Sequence, residues 1–303
     1  MSSSGPRITV GVIVYNGALT LRRSVESILN QSYQKYIIHI SDDGSRDSTP
    51  EVGRSLAAEH STVVFTRQPR NLGPANNFRF LLERAGTEYF MWLAADDYLE
   101  PTYLERMISM LDADQSLVAC VSRIWFVKPD GSRRLAEGTY PLLADPLTNL
   151  AVYLSQPRDN SRLYALYRTG PLRKAFPRSH FHAFDWAAVA GTLVQGKHAE
   201  VADVLMVRDE TPRERYVKSI RADNSWGVAR LFPLSVMTYD LLIRQRIPLT
   251  SPILKALLYL NIEYHCLYMK MFYPRYMKIT RHIWAIWYRY FSWRLVQKFL
   301  HQR

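Results

Sequence analysis

Cysteine is scarce: two residues in 303, Cys120 and Cys266, far apart and outside any C-x-x-C pair. That argues against a zinc site or a disulfide framework and fits a reducing compartment. No run of eighteen apolar residues occurs, so no membrane-spanning helix is expected. The opening MSSSGPRITVGVIV meets Asn16 and Gly17 after one short apolar run, too brief and too polar for a leader peptide. There is no internal repeat, and low complexity is confined to the serines of the first four residues. Acids are few relative to bases, 27 against 39, giving a net charge of +12 and an isoelectric point near 9.7. Such a balance points to a polyanionic surface or substrate.

With 48% hydrophobic and 22% charged residues, the chain is rich enough in apolar side chains to fold, which excludes dominant disorder. Its length suits one large domain, or one domain with an appendage. The positive excess is local. Residues 251–303 carry nine Lys/Arg against the single acid Glu263, an excess of eight that leaves four for the other 250 residues. The same segment holds 13 of the 38 aromatics, including Trp284, Trp287 and Trp293.

From residue 8 the pattern alternates. Continuous apolar runs at 8–14, 36–40, 62–66 and 89–93 have the length and β-branched character of parallel strands buried on both faces. Between them apolar residues recur at helical spacing: Leu21, Val25, Ile28 and Leu29; Phe78, Leu81, Leu82 and Ala85; Leu104, Met107, Ile108 and Leu111. Pro74 and Pro101 stand just inside two helix starts and Gly86 just past one stop. A mostly parallel α/β sheet flanked by helices follows, with ligands at the carboxyl ends of its strands. Beyond residue 112 the order is less regular: a strand at 117–127, a turn at Asp130-Gly131, a loop-like stretch through Pro141 and Pro157, a helix through Trp186, Val189 and Val194, and a strand near 201–207. Past about residue 225 only helical signals continue, at Leu254, Leu257, Leu258 and Ile262 and again at Ile283, Trp287, Tyr290 and Trp293. The expected organisation is a catalytic domain over 1–212 and a helical, basic, aromatic-rich extension over 213–303.

Two Asp-Asp pairs stand out. SDDGSRDST (41–49) places Asp42 and Asp43 at the end of the second strand, where carboxylates can accept hydrogen bonds from a base N–H or from ribose hydroxyls. The plainer alternative is a turn in which Asp47 caps the next helix. LAADD (93–97) repeats the arrangement with Asp96 and Asp97 after the fourth strand. Paired carboxylates there suit a hard divalent cation bridged to diphosphate oxygens, or else a turn in which Asp97 accepts backbone N–H bonds. Like charges gathered at one sheet end call for a cation or a hydrogen-bonded ligand between them.

VGVIVYN (10–16), SDDGSRDST, NLGPANN (71–77) and LAADD, in this order and spacing, resemble family 2 glycosyltransferases of the GT-A fold over about residues 8–212. The resemblance implies that the Tyr15-Asn16 segment lies at the nucleotide, with Tyr15 against the nucleobase, Asp43 beside Asp42 contacting its N–H edge, Asp96 on the ribose and Asp97 on the metal. Many members carry an acid where Ala94 stands, so this chain has a variant D-x-D element. The NLGPANN loop would lie near the nucleotide and supplies Asn71, Asn76 and Asn77, although Asn71 and Gly73 equally suit an ordinary turn. Asp185 occupies the position of the general base, with Phe184 replacing the acid that often precedes it; an N-cap is its plainer role. Arg208, Arg213 and Arg215 offer guanidinium groups to a diphosphate, or simply make a charged surface loop. His180 and His182 suit acceptor-site or surface roles.

The expected activity is sugar transfer, inverting, from a nucleotide diphosphate-sugar donor to a glycan or lipid-linked acceptor in cell-surface polysaccharide or glycolipid synthesis, with Mn²⁺ or Mg²⁺ as cofactor. Two alternatives stay open, a nucleotidyltransferase and a non-catalytic nucleotide-sugar or membrane-binding protein. The first lacks a glycine- and lysine-rich phosphate loop near the N-terminus. The tail mixes Lys and Arg with Trp and Tyr, as a peripheral membrane surface does, and also as a helical subdomain packed on the catalytic domain does. A cytoplasmic protein able to sit on the inner face of the plasma membrane is expected, and no nucleic-acid partner, since no recognisable module accompanies the charge.

Overall fold

The computed structural model describes residues 5–156, 158–181, 183–210 and 234–272, the side chains of 263–272 excepted. Strands β1 (Ile8–Val14), β2 (Tyr36–Asp42), β3 (Val63–Arg67) and β4 (Tyr89–Ala94) pair in parallel in the order β3-β2-β1-β4. The sheet continues through β8 (Leu166–Arg168), β6 (Leu117–Val127), β9 (Lys197–Asp209) and the two-residue β5 (Tyr98–Leu99), while β7 (Arg133–Leu135) pairs with β6. β8 runs antiparallel to both its neighbours, so β6 and β9 regain the direction of β4. The expected α/β class with a mostly parallel sheet is what the chain adopts.

The continuous apolar runs are buried because helices cover both faces. Those helices are α1 (Leu21–Leu29), α2 (Thr49–Glu59), α3 (Pro74–Arg84) and α4 (Tyr103–Ala113). Val10, Val12, Ile38, Ile40 and Trp92 are fully buried. The Trp92 ring lies edge-on to Phe90 with centroids 4.8 Å apart, and its N–H donates to the Phe78 carbonyl at 3.0 Å, so the one polar atom of this large side chain is paired.

Strand ends differ from expectation where it matters for chemistry. β2 extends two residues past 40, so Asp42 is its last paired residue, opposite Val14 and Arg67. The stretch between residues 132 and 185 is not a loop. It holds β7, helix α5 (Pro146–Ser155), a 3₁₀ turn (Ser161–Tyr164), β8 and helix α6 (Thr169–Ala175), followed by α7 (Phe184–Leu193). α5 begins with a legible signal, since Asp145 caps the backbone N–H groups of Leu147 and Thr148, both at 3.1 Å, and Pro146 opens the helix. β8 has three residues, too few to show a period.

The described part of the extension comprises α8 (Ser235–Tyr239), a π-helical turn (Asp240–Arg244) and α9 (Ser251–Phe272), which packs on α5. On α9 the buried stripe is Ile253, Ala256, Leu257 and Leu260, whereas Leu254 and Leu258, which help predict the helix, face outward. The expected boundary near 212 and the helix around 283–293 lie outside the described residues. Among the described residues no helix is long and apolar enough to cross a membrane.

Candidate active site

The turn after β2 ties three loops together. Asp42 is fully buried; its Oδ1 accepts the Ser45 N–H at 2.9 Å, and its Oδ2 lies 3.5 Å from Arg67 Nε. Asp43 accepts the Leu72 N–H at 2.7 Å and the Gly73 N–H at 3.1 Å, fastening the β3–α3 loop. Burial pushes its carboxyl up, and these two N–H groups pull it back down. Ser45 Oγ accepts the Asn16 N–H at 2.8 Å, and Asn16 Oδ1 accepts the Arg46 N–H at 2.8 Å. Gly17 and Ala18 donate to Thr49 and Asp47 at 2.9 and 3.2 Å, so β1's loop is held by the same turn. Asp47 also accepts the Thr49 N–H at 3.1 Å, so the plain helix-start role coexists with loop fastening. Gly44 makes the approach possible: its φ is +73°, and a Cβ there would stand 2.8 Å from the Arg70 carbonyl carbon.

The polar residues of the NLGPANN loop are similarly occupied. Asn71 Oδ1 accepts the Gly73 N–H at 2.9 Å in an Asx turn, and Asn76 Nδ2 donates to the Leu72 carbonyl at 2.8 Å. Buried Asn77 donates to the Ser41 carbonyl at 3.0 Å.

The second Asp-Asp pair divides its duties. Asp97 is 1% exposed, with Oδ2 2.9 Å from Arg208 Nε and Oδ1 3.3 Å from the Asp209 N–H. The Arg208 guanidinium lies over the Tyr164 ring at 4.0 Å and near Phe126 at 5.1 Å. The expectation that Asp97 holds the metal therefore meets a carboxylate enclosed in an ion pair. Equally, Arg208 neutralises Asp97 and does not reach out as a free phosphate clamp. Asp96 faces the opposite way. It lines a cleft of about 500 Å³ with Ile13, Val14, Tyr15, Asn16, Ala94 and Asp209. Half-exposed Tyr15 stands in the same cleft, and Val127–Pro129 and Glu210 contribute a wall that the sequence pattern does not announce.

Three of the four cleft carboxylates have partners. Asp209 pairs with Arg23 at 3.1 Å, Glu210 with Arg134 at 2.9 Å, and Asp47 with Thr49 and Ala18. The Asp96 carboxylate accepts no hydrogen bond from the described residues; only its backbone oxygen is engaged, by Arg23 at 2.6 Å. The described residues hold no group of three or more His, Cys, Asp or Glu able to cage a metal. One cleft-facing carboxylate fits a hard cation of the kind held by one or two carboxylates and completed by substrate phosphates and water.

Asp185 lies outside this cleft lining, in the first turn of α7. It does not cap the helix, because Ala183, at φ +63°, is the N-cap. Its Oδ2 accepts from Asn160 Nδ2 at 2.8 Å. Burial pushes the buried Tyr164 hydroxyl well up; Arg208 opposes this, and the charges of Asp97, Asp96 and Asp185 add to it. Arg213, Arg215 and His182 lie outside the described residues, and His180 is exposed.

Residues 9–176 match the family model described as Glycosyl transferase family 2. An uncharacterized glycosyltransferase of Rickettsia typhi, RT0329, is 30% identical over 152 residues, covering 46% of this chain and 46% of that protein. The chain spans less than half the length of the curated relatives it matches. Among solved structures, S. aureus TarS 1–349 in complex with UDP-GlcNAc aligns with a TM-score of 0.64 at 14% identity, covering 88% of this chain and 73% of that one. The mannosyltransferase PcManGT of Pyrobaculum calidifontis, in complex with GDP-Man and Mn²⁺, gives 0.54 at 20% identity, covering 98% and 86%. The fold is of the GT-A type.

The Asp97–Arg208 pair yields a stability prediction. Burial, opposed by Arg208, raises the Asp97 carboxyl from its ordinary 3.8 to about 7. The folded chain therefore keeps a proton that the unfolded chain releases. This group's contribution is complete below about pH 4, falls as pH rises, and levels off above about 7. Arg208→Ala leaves the carboxylate buried and unpaired and should cost about 3–5 kcal/mol at pH 8, measured by urea unfolding. The penalty should grow as pH rises beyond 7, because the variant keeps losing stability after the wild type has levelled. A pH-independent penalty contradicts the pairing.

Proposed function

The chain belongs to glycosyl transferase family 2, and from that premise we propose that it moves a sugar from a nucleotide diphosphate-sugar to an acceptor hydroxyl in one inverting displacement. The observation that carries the reading is the cleft at the carboxyl ends of β1 and β4, where Tyr15, Asn16 and Asp96 meet. UDP-GlcNAc and GDP-Man, bound by two fold neighbours, support a nucleotide diphosphate-sugar as the donor class. Tyr15 offers a ring face to the nucleobase. Asp42 and Asp43 brace that wall from beneath, and each Asp43 oxygen keeps a lone pair for a base N–H.

Asp96 takes the metal position that the resemblance gives to Asp97, since its carboxylate faces the cleft. A divalent cation, Mn²⁺ or Mg²⁺, supplies neutralisation of charge on the departing diphosphate when bound there. Asp185 accepts the proton of the acceptor hydroxyl as that oxygen attacks the anomeric carbon and the diphosphate leaves. Asn71 and Asn76 serve the nucleotide indirectly, by shaping the loop that Asp43 holds. Arg213 completes the donor site as a phosphate ligand from the segment after β9.

The acceptor is a glycan or a lipid-linked glycan, with the enzyme held on the anionic inner face of the plasma membrane by the extension over residues 213–303, whose described part packs on α5. Supporting this, Val236, Tyr239, Ile243, Leu254 and Leu258 of the extension are solvent-exposed, next to a segment rich in Trp, Lys and Arg.

Asp185→Asn should lower kcat by about 10²–10⁴-fold with an unchanged melting temperature, read with the cognate donor and acceptor. Wild-type turnover in that variant removes Asp185 as the base. In liposome flotation, vesicles containing anionic phosphatidylserine should carry the full chain to the top. Removal of residues 251–303 should abolish that; undiminished flotation refutes the membrane role.

A further inference from the structure

A directed hydrogen-bond chain leads to Asp185. Tyr153 of α5, 1% exposed, donates its hydroxyl to Asn160 Oδ1 at 2.6 Å, and Asn160 Nδ2 donates to Asp185 Oδ2 at 2.8 Å. Donor and acceptor types fix the direction. An ionised carboxylate only accepts, so the Asn160 amide nitrogen must face Asp185. Its oxygen then faces Tyr153, which must donate. Burial holds the Tyr153 hydroxyl protonated, and the charge on Asp185 acts the same way.

Asn160 is fixed in turn by its backbone. It sits at φ +48° and ψ +30° as the N-cap of the 3₁₀ turn, a left-handed conformation that Asn tolerates better than most residues. The Leu163 N–H donates to its carbonyl at 3.0 Å. The neighbouring Asp159 accepts N–H groups from Ser161 at 3.1 Å and Glu137 at 2.8 Å, so the loop cannot rotate the amide away without breaking several bonds. The side chain is 4% exposed, which leaves water little access to replace either partner.

The geometry points to Asn160, backed by Tyr153, as the residue that positions the Asp185 carboxylate for proton abstraction. The amide pins one carboxylate oxygen, Oδ2, and so fixes the plane in which the carboxylate meets the acceptor hydroxyl. The inference rests on Asp185 being the base. Neither residue touches the reacting atoms, so their contribution is orientation, a term in which small misplacements are costly.

The test compares Asn160→Gly, Asn160→Asp, Tyr153→Phe and Asp185→Asn in the full-length protein by steady-state kinetics and thermal unfolding. Gly and Asp both accept the left-handed backbone, so a residue present only for its backbone conformation tolerates either. As a positioning residue, Asn160 tolerates neither: Asn160→Gly should lower kcat by about 10–100-fold with the donor KM unchanged, and Asn160→Asp, which sets two carboxylates face to face, at least as much. Tyr153→Phe should lower kcat by about 10-fold. Adding Asn160→Gly to Asp185→Asn should cost nothing further. Wild-type kcat in both Asn160 variants, with Asp185→Asn inactive, overturns the positioning role alone. A kcat loss that merely follows a fall in melting temperature also overturns it. Full activity in Asp185→Asn overturns the base assignment and the positioning role with it.

Discussion

A parallel sheet delivers the ends of its strands to one edge, and here that edge gathers Asp42, Asp43, Asp96 and Asp97. Carboxylates so grouped repel, and burial pushes those of Asp43 and Asp97 up, so the buried members need partners. Asp42 has the Ser45 N–H and Arg67, Asp43 has the N–H groups of Leu72 and Gly73, and Asp97 has Arg208. Asp96 alone opens into the cleft without a hydrogen-bond donor among the described residues. Under the proposed function, that remaining charge meets a cation and a diphosphate. The compensating partners are also what shape the cleft, because each links one strand end to the next loop.

The Asp97–Arg208 bond has the longest reach of these. It ties the end of β4 to the end of β9 across 111 positions of sequence. It thereby sets Asp209 and Glu210 in the same cleft lining as Asp96, and seats the guanidinium over the Tyr164 ring.

The four parallel strands and the position of the site were legible in the sequence because continuous β-branched runs, Pro-led helices and acids at strand ends are local signals. Tyr15, Asn16 and Asp96 came together as a set only through the family resemblance. The roles of the two members of each Asp pair were not. Neighbouring residues leaving a strand point to opposite sides, and only the packing of Arg208 shows that Asp97 turns inward while Asp96 turns to the cleft. Asn160 and Tyr153 were hidden in a stretch that reads as loop, where the Asp145-Pro146 helix start was the one local clue. Asn160 meets Asp185 across 25 positions, and Tyr153 reaches it only through Asn160, which no periodicity encodes.

The central claim is that Asp96 is the carboxylate that joins metal to donor. Calorimetric titration of UDP and GDP into wild type and Asp96→Asn, each with and without Mn²⁺, tests it most directly. One nucleotide should bind the wild type about 10-fold or more tightly with Mn²⁺, and that gain should vanish in Asp96→Asn while metal-free binding persists. An equal Mn²⁺ gain in both proteins, or a gain lost in Asp97→Asn but kept in Asp96→Asn, would contradict the account.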